Sequence, residues 1–234
     1  MNILAIDTAG SILSVAVEKS EEILYAETEA GVKHSGIVMD CIDSLMKKAS
    51  LSPGDLDGVV CMKGPGSFTG LRIGFSIVKG LALSLSIPFA AVPTLDCIAW
   101  QYRSGLTLAA IEATRKSAWF FALYRNGELL SPTADADASQ IAAKIENLIE
   151  SINDKTQTIT LTGSGSPSLL ASLPQKIKDN ITPAFENHGY ARELIYIAKK
   201  EKLLENNSET LLYSGPEYIR KTDAELNLNA APKN

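Results

Sequence analysis

The sequence predicts an α/β fold made twice over, with two similar domains facing one another across a cleft. Three observations predict it. Apolar runs of strand length alternate with longer runs of helical spacing. Each half of the chain follows one order: strand, turn, strand, turn, strand, helix, strand, Gly-x-Gly, helix. The two Gly-x-Gly segments also stand in matching contexts, Gly58–Ser67 in the first half and Ile159–Ser166 in the second.

In the first half, Ile3–Ile6, Ile12–Val17 and Ile23–Thr28 read as three strands joined by tight turns. Ser35–Ala49 has helical spacing, with Val38, Cys41, Ile42, Leu45 and Met46 on one face. Ser50–Asp57 is a loop and Val59–Met62 a buried strand. The glycine loop then opens a long apolar helix, Leu71–Leu85. Pro88–Val92 is a strand, and Thr94 is placed to cap a helix through Tyr102.

The second half begins with strands at Leu106–Glu112 and Ala118–Tyr124. Asn126-Gly127 is a hairpin signal leading to Glu128–Leu130. A helix follows at Ala138–Ser151, a strand at Thr158–Thr162, a short helix at Ser168–Leu173 and an amphipathic helix at Ala191–Leu204. The expected domains are residues 1–104 and 105–190, with a C-terminal helix near 191–214 crossing back onto the first. Residues 221–234 read as a polar tail.

A length of 234 residues suits one large or two small domains, and a 45% hydrophobic content is that of a globular protein. No run reaches the length of a membrane span, because Arg72 and Lys79 interrupt the most apolar stretch. The first residues lack a basic leader and read as a first strand. Cys41, Cys61 and Cys97 are widely spaced in apolar contexts, which indicates buried free thiols and a cytoplasmic location. With 22 basic against 27 acidic residues the net charge is −5, so a broad nucleic-acid face is not expected.

Gly64-Pro65-Gly66-Ser67-Phe68-Thr69-Gly70-Leu71-Arg72 is the most informative stretch. Glycines between strand and helix permit tight turns and close backbone approach, and the amides there can face an anion. The spacing fits neither a Walker A loop nor a dinucleotide fingerprint. Ser67 and Thr69 are both candidate N-caps. Gly64, Gly66, Ser67, Thr69 and Arg72, together with Asp7 and Thr8 of the first turn, form a candidate nucleotide or partner loop. The alternative is a loop that only shapes the helix start, with Asp7 accepting from amides of its own turn.

No catalytic or metal-binding set emerges. His34 has Val38 four residues on, and His188 lies far along the chain, so no two imidazoles share a helical face. A triad of Ser67, His34 and Asp7 lacks any spacing that orients a base. The paired helices offer a better reading, as an interface. Val38, Cys41, Ile42, Leu45 and Met46 would form one stripe, and Ile77, Val78 and Leu81 the other. Gly70 and Gly74 would permit close helix approach.

The opening strand, Asp7-Thr8 and a glycine turn, set in a duplication, resemble the actin, sugar-kinase and Hsp70 superfamily with its duplicated actin-like, ribonuclease-H-like ATPase fold. Within it, the chain resembles the TsaB (YeaZ) family. The matching pieces are Ile3–Thr8, Val32–Ser35, Gly64–Gly74 and Pro216–Arg220. Glu112-Ala113-Thr114-Arg115 departs from the family's Asp-Ala-Arg turn. The resemblance implies a non-catalytic scaffold or activator in forming threonylcarbamoyladenosine at position 37 of tRNAs that decode ANN codons. It implies a heterodimer with TsaD, association with the ATPase TsaE, a homodimer when alone, and tRNA reached only through the complex. TsaD binds metal through a His-x-x-x-His helix, which this chain lacks. No resident cofactor is implied, and ATP or ADP only at a partner interface. An independent ATPase or kinase and a metalloglycopeptidase are the competing readings.

Overall fold

A computed structural model describes residues 1–31, 34–113, 115–151, 158–205, 215–217 and 219. Of the motif residues, Val32, Lys33, Thr114, Tyr218 and Arg220 lie outside the described residues, as do 206–214 and the expected tail 221–234.

The first half holds β1 (Ile3–Asp7), β2 (Ile12–Lys19), β3 (Glu22–Glu29), α1 (His34–Lys48), β4 (Gly58–Gly64), α2 (Phe68–Leu85), β5 (Phe89–Pro93) and α3 (Thr94–Ala99). Its five strands form a sheet in the order β3-β2-β1-β4-β5. β1 and β2 pair antiparallel with Ile3 opposite Glu18, and β1 and β4 pair parallel with Ile3 opposite Gly58. β1 is buried along its whole length because helices cover both faces, so it is a continuous apolar run. Period-two alternation sends Leu4 and Ile6 into the cluster with Val38, Leu45, Phe75 and Val78. Ile3 and Ala5 point the other way, toward Leu194, Ile195 and Ala198.

The second half holds β6 (Leu106–Glu112), β7 (Ala118–Arg125), β8 (Glu128–Leu129), β9 (Ala134–Asp137), α4 (Ala138–Ser151), β10 (Ile159–Thr162), α5 (Ser166–Ser172), α6 (Gln175–Lys178), β11 (Ile181–Ala184) and α7 (Ala191–Lys200). The order is β11-β10-β6-β7-β8, with β9 also on β7. β8 pairs with one end of β7 at Tyr124 and Arg125, and β9 with the other end at Ala118–Phe121. The third strand of the repeat is therefore split, and the order of the first sheet recurs. This is the duplicated ribonuclease-H-like arrangement of the actin-like fold.

The last helices of the halves are exchanged. α7 packs on β1, β2 and β4 of the first sheet, while α3 packs on β6 and β7 of the second as well as on β4 and β5. Leu95, Ile98 and Ala99 of α3 meet Ala109, Ile111 and Ala122 of the second sheet.

Several expectations need adjustment. The helix from Thr94 ends at Ala99 and continues as a 3-10 turn, Trp100–Tyr102. Thr94 is its first residue and makes no cap hydrogen bond. β9, α6 and β11 were not foreseen, because each has only four residues and too little periodicity to stand out. α7 ends at Lys200 rather than Leu204. α2, at 18 residues and a mean hydropathy of 1.3, is long and apolar enough to cross a membrane by length and composition. It lies on the sheet, with Leu71, Phe75, Val78 and Ala82 facing inward, as a core helix does.

Candidate functional site

The glycine loop packs against the first turn of the chain. The Ser67 amide donates to the Ala9 carbonyl at 2.7 Å, and the Thr8 hydroxyl to the Gly70 carbonyl at 2.7 Å. A Cβ on Gly66 would stand 2.8 Å from the Ala9 oxygen, and one on Gly70 only 1.9 Å from the Thr8 oxygen. At Gly74 it would meet the Thr8 hydroxyl at 2.9 Å. Gly64, at φ +116°, lies against the Glu217 carbonyl. Ser67 is the N-cap of α2, its oxygen accepting from the Gly70 amide at 3.2 Å, while Thr69 stands exposed within the helix. Glycine at 66, 70 and 74 therefore serves backbone approach inside the molecule.

Asp7 is buried, and both its carboxylate oxygens are occupied. One accepts from the Ala9 amide at 2.9 Å, the other from the Tyr190 amide at 2.9 Å, tying the first turn to the start of α7. Burial raises its carboxyl above the usual range, against the lowering effect of the two amides. His34, also buried, bonds the Gly10 carbonyl through Nε2 at 3.0 Å and anchors the start of α1.

The second half repeats the packing. The Gly165 amide donates to the Ala110 carbonyl at 3.1 Å, and a Cβ on Gly163 would stand 2.3 Å from that oxygen. Here the acidic residue is Glu112, exposed and accepting from the Ser168 hydroxyl at 2.6 Å.

The helix stripe requires a correction. Val38, Ile42, Leu45, Met46 and Val78 fill the protein's own core instead of facing a partner. A single apolar stripe on a helix beside a sheet is the stripe the sheet buries. Cys41, Ile77 and Leu81 are half-buried at the margin. Gly70 and Gly74 approach Thr8, not another helix. The outward surface is one residue along: Met39 is 53% exposed, Phe68 41% and Leu83 63%. A groove of about 450 Å³ between α1 and α2 is lined by Met39, Phe68, Arg72, Ile73 and Ile77. Arg72 lies 3.8 Å over the Phe68 ring.

Sequence reasoning missed a cluster around His188. Its Nε2 lies 2.9 Å from Glu186 and 3.0 Å from the Gln101 amide, and Gln101 also donates to Glu193 at 3.3 Å. Tyr102 donates to Glu186. The Gly189 amide donates to Glu27 at 2.9 Å. These partners are spread over the chain, so no local spacing announces them. Among the described residues, no group of three or more His, Cys, Asp or Glu side chains is placed to hold a metal ion.

Comparison with known proteins accords with this architecture. Residues 27–228 match the family model of TsaD, tRNA N6-adenosine threonylcarbamoyltransferase. The tRNA threonylcarbamoyladenosine biosynthesis protein TsaB of Bacillus subtilis is 30% identical over 233 residues, covering 96% of each chain. The Escherichia coli protein of the same name is 35% identical over 133 residues, covering 55% of this chain and 57% of its own. A Pseudomonas aeruginosa structure described as similar to peptidase YeaZ superposes with a TM-score of 0.77 at 23% identity, covering 94% of this chain and 99% of its own. A second, YeaZ from Pseudomonas aeruginosa, gives 0.72 at 21% identity, covering 86% and 92%. With near-complete coverage by a TsaB relative and the TsaB/YeaZ fold in both halves, this chain belongs to the TsaB (YeaZ) family.

Proposed function

We propose that this chain serves the biosynthesis of threonylcarbamoyladenosine on tRNA as a docking subunit without catalytic groups of its own. It joins a TsaD homologue through the outer face of α1 and α2. The observation that carries this is the open apolar groove bounded by Met39, Ile73 and Ile77, with Leu83 exposed further along α2. Apolar surface gathered on two neighbouring helices is what a helical interface uses. The match to the TsaD family model supports a partner of the same fold, which can offer an equivalent helix pair. The family name supports the pathway.

The cleft supports a role without chemistry. Asp7 is held by two backbone amides, and the Ser67 and Gly70 amides of the glycine loop already have acceptors. TsaE joins the pair, ATP or ADP binds only where the partner completes a site, and tRNA is reached through the complex in the cytoplasm. Without TsaD, two copies of this chain pair through the same groove.

The test is co-purification with a TsaD homologue. The double variant Ile73→Asp, Ile77→Asp should remain folded and lose the partner. A folded double variant that still co-purifies overturns the docking face. Full-rate tRNA modification by the TsaD homologue without this chain overturns the scaffold role.

A further inference from the structure

A second cavity, of about 400 Å³, lies where the two halves meet and shares no lining residue with the α1–α2 groove. Its walls come from both halves. Lys63 and Val92 belong to β4 and β5, Tyr124 and Leu129 to β7 and β8, and Ile197 and Lys200 to α7. Asp96, Ala99, Trp100 and Arg103 line it at i, i+3, i+4 and i+7, a single helical face running from α3 into the 3-10 turn. Its size is that of a small-molecule site.

Both signs of charge meet in an otherwise apolar space. Asp96 accepts from the Tyr124 hydroxyl at 2.6 Å through Oδ1, and no described residue donates to Oδ2. Burial raises the Asp96 carboxyl above its usual range; Glu201 and Glu217 add to the rise, while Tyr124 and Lys63 oppose it. That carboxylate would gain from a cation. Opposite in sign, the Arg103 guanidinium lies 3.8 Å over the Trp100 ring and has no carboxylate partner among the described residues. The other cations are already matched, Lys63 by Glu217 at 2.9 Å and Lys200 by Glu201 at 3.3 Å.

This pattern narrows the ligand. A simple anion would meet Asp96 and Glu201, and a simple cation would meet Arg103, Lys63 and Lys200. A nucleobase finds the indole engaged, since Arg103 covers it and the Tyr196 ring stacks with it at 6.4 Å. Val92, Pro93, Leu129, Ile197 and Leu203 supply apolar wall.

We propose that this cavity binds a free amino acid with an apolar side chain, its ammonium on the Asp96 carboxylate and its carboxylate on the Arg103 guanidinium. Such a ligand touches both halves at once.

Calorimetric titration of the intact protein tests this with L-leucine against two analogues that each lack one charge, 3-methylbutylamine and 4-methylpentanoate. Saturable one-to-one binding of L-leucine is expected, with each analogue at least tenfold weaker. Arg103→Gln and Asp96→Asn should each weaken L-leucine at least tenfold while leaving circular dichroism unchanged. Arg103 is exposed, so Arg103→Gln decides the matter even if Asp96→Asn misfolds. No saturable binding in the millimolar range, analogues that bind as well as L-leucine, or unchanged affinity in a folded Arg103→Gln protein would each overturn the proposal.

Discussion

In the first half, α1 and α2 leave Met39, Phe68 and Leu83 exposed; in the second, no large exposed hydrophobic among the described residues lies on α4 or α5. The sheets beneath have the same strand order. The helices following the Gly-x-Gly turns differ in length, 18 residues for α2 and seven for α5. α4 turns Ile141, Ala142 and Ile145 inward and keeps its apolar side on its own sheet. A duplicated fold thus lets one copy lengthen a helix and leave apolar side chains on its outer helical face, while the corresponding helices of the other copy keep theirs on the sheet.

The largest expected effect separates core from surface on the first half's helices. Leu45→Asp places an unpaired carboxylate among Val38, Phe75 and Val78, and should cost about 4 kcal/mol or more in urea denaturation. Ile77→Asp, at the half-buried margin, should cost about 1 kcal/mol and act mainly on partner binding. Equal stability losses at the two sites would dissolve the distinction between the inner and outer faces.

Next comes the glycine packing that the halves share. Gly70→Ala forces a Cβ onto the Thr8 carbonyl and should destabilise by about 3 kcal/mol. Gly163→Ala should do likewise against Ala110, with a φ of +97° adding strain. Gly80, in the same helix as Gly70, has nothing within 4 Å. Gly80→Ala should stabilise by about 0.5 kcal/mol through helix propensity. A tolerated Gly70→Ala would mean that the loop stands away from the first turn and is free to meet a ligand.

The acidic residues at the two turns differ more gently. Asp7→Ala removes the acceptor for two backbone amides and should cost about 2 kcal/mol, part of the loss being offset by relief from burying a carboxylate. Glu112→Ala removes one exposed bond to Ser168 and should cost about 0.5 kcal/mol. Thermal denaturation of the two variants ranks them directly; a larger loss at Glu112 would reverse the assignment of structural and open turns.

The pattern of elements was legible because each half repeats strong signals. Apolar runs of strand length marked β1 and β6, partial alternation marked β2, and the stretch Ala138–Ser151 has the bounds of α4. The short elements β9, α6 and β11 carry too few residues for a period to show. Gly64–Arg72 announced a tight strand-to-helix junction but not what the glycines touch, since Thr8 and Ala9 lie far back in sequence. On α1 the apolar stripe was plain, yet a stripe does not say whether a sheet or a partner covers it. Met39 and Leu83 lie off the stripes, so only the placed helices reveal the outer face. The His188 cluster gathers residues from β3, the 3-10 turn and α7, a contact set that local spacing cannot encode.

The segment joining the halves offers an effect that depends on pH. His188 lies between β11 of the second sheet and α7 on the first. Burial acts to lower its pKa, but the Gly189 carbonyl, Glu186 and Glu193 outweigh this and hold it above the usual 6.5. Glu27 and Asp7 also face the ring, and the Tyr190 ring lies 4.6 Å from it. An imidazole with a raised folded pKa contributes stability that is fully present below the unfolded value and is lost as pH rises through the folded one. His188→Gln keeps a donor but cannot become charged. The variant should be less stable than the parent by about 1 kcal/mol near pH 6, with the gap closing as pH rises through the raised folded pKa of the imidazole. Melting curves across that range provide the check. A gap that stays constant with pH would show that the ring holds the two halves together by packing and neutral hydrogen bonds alone.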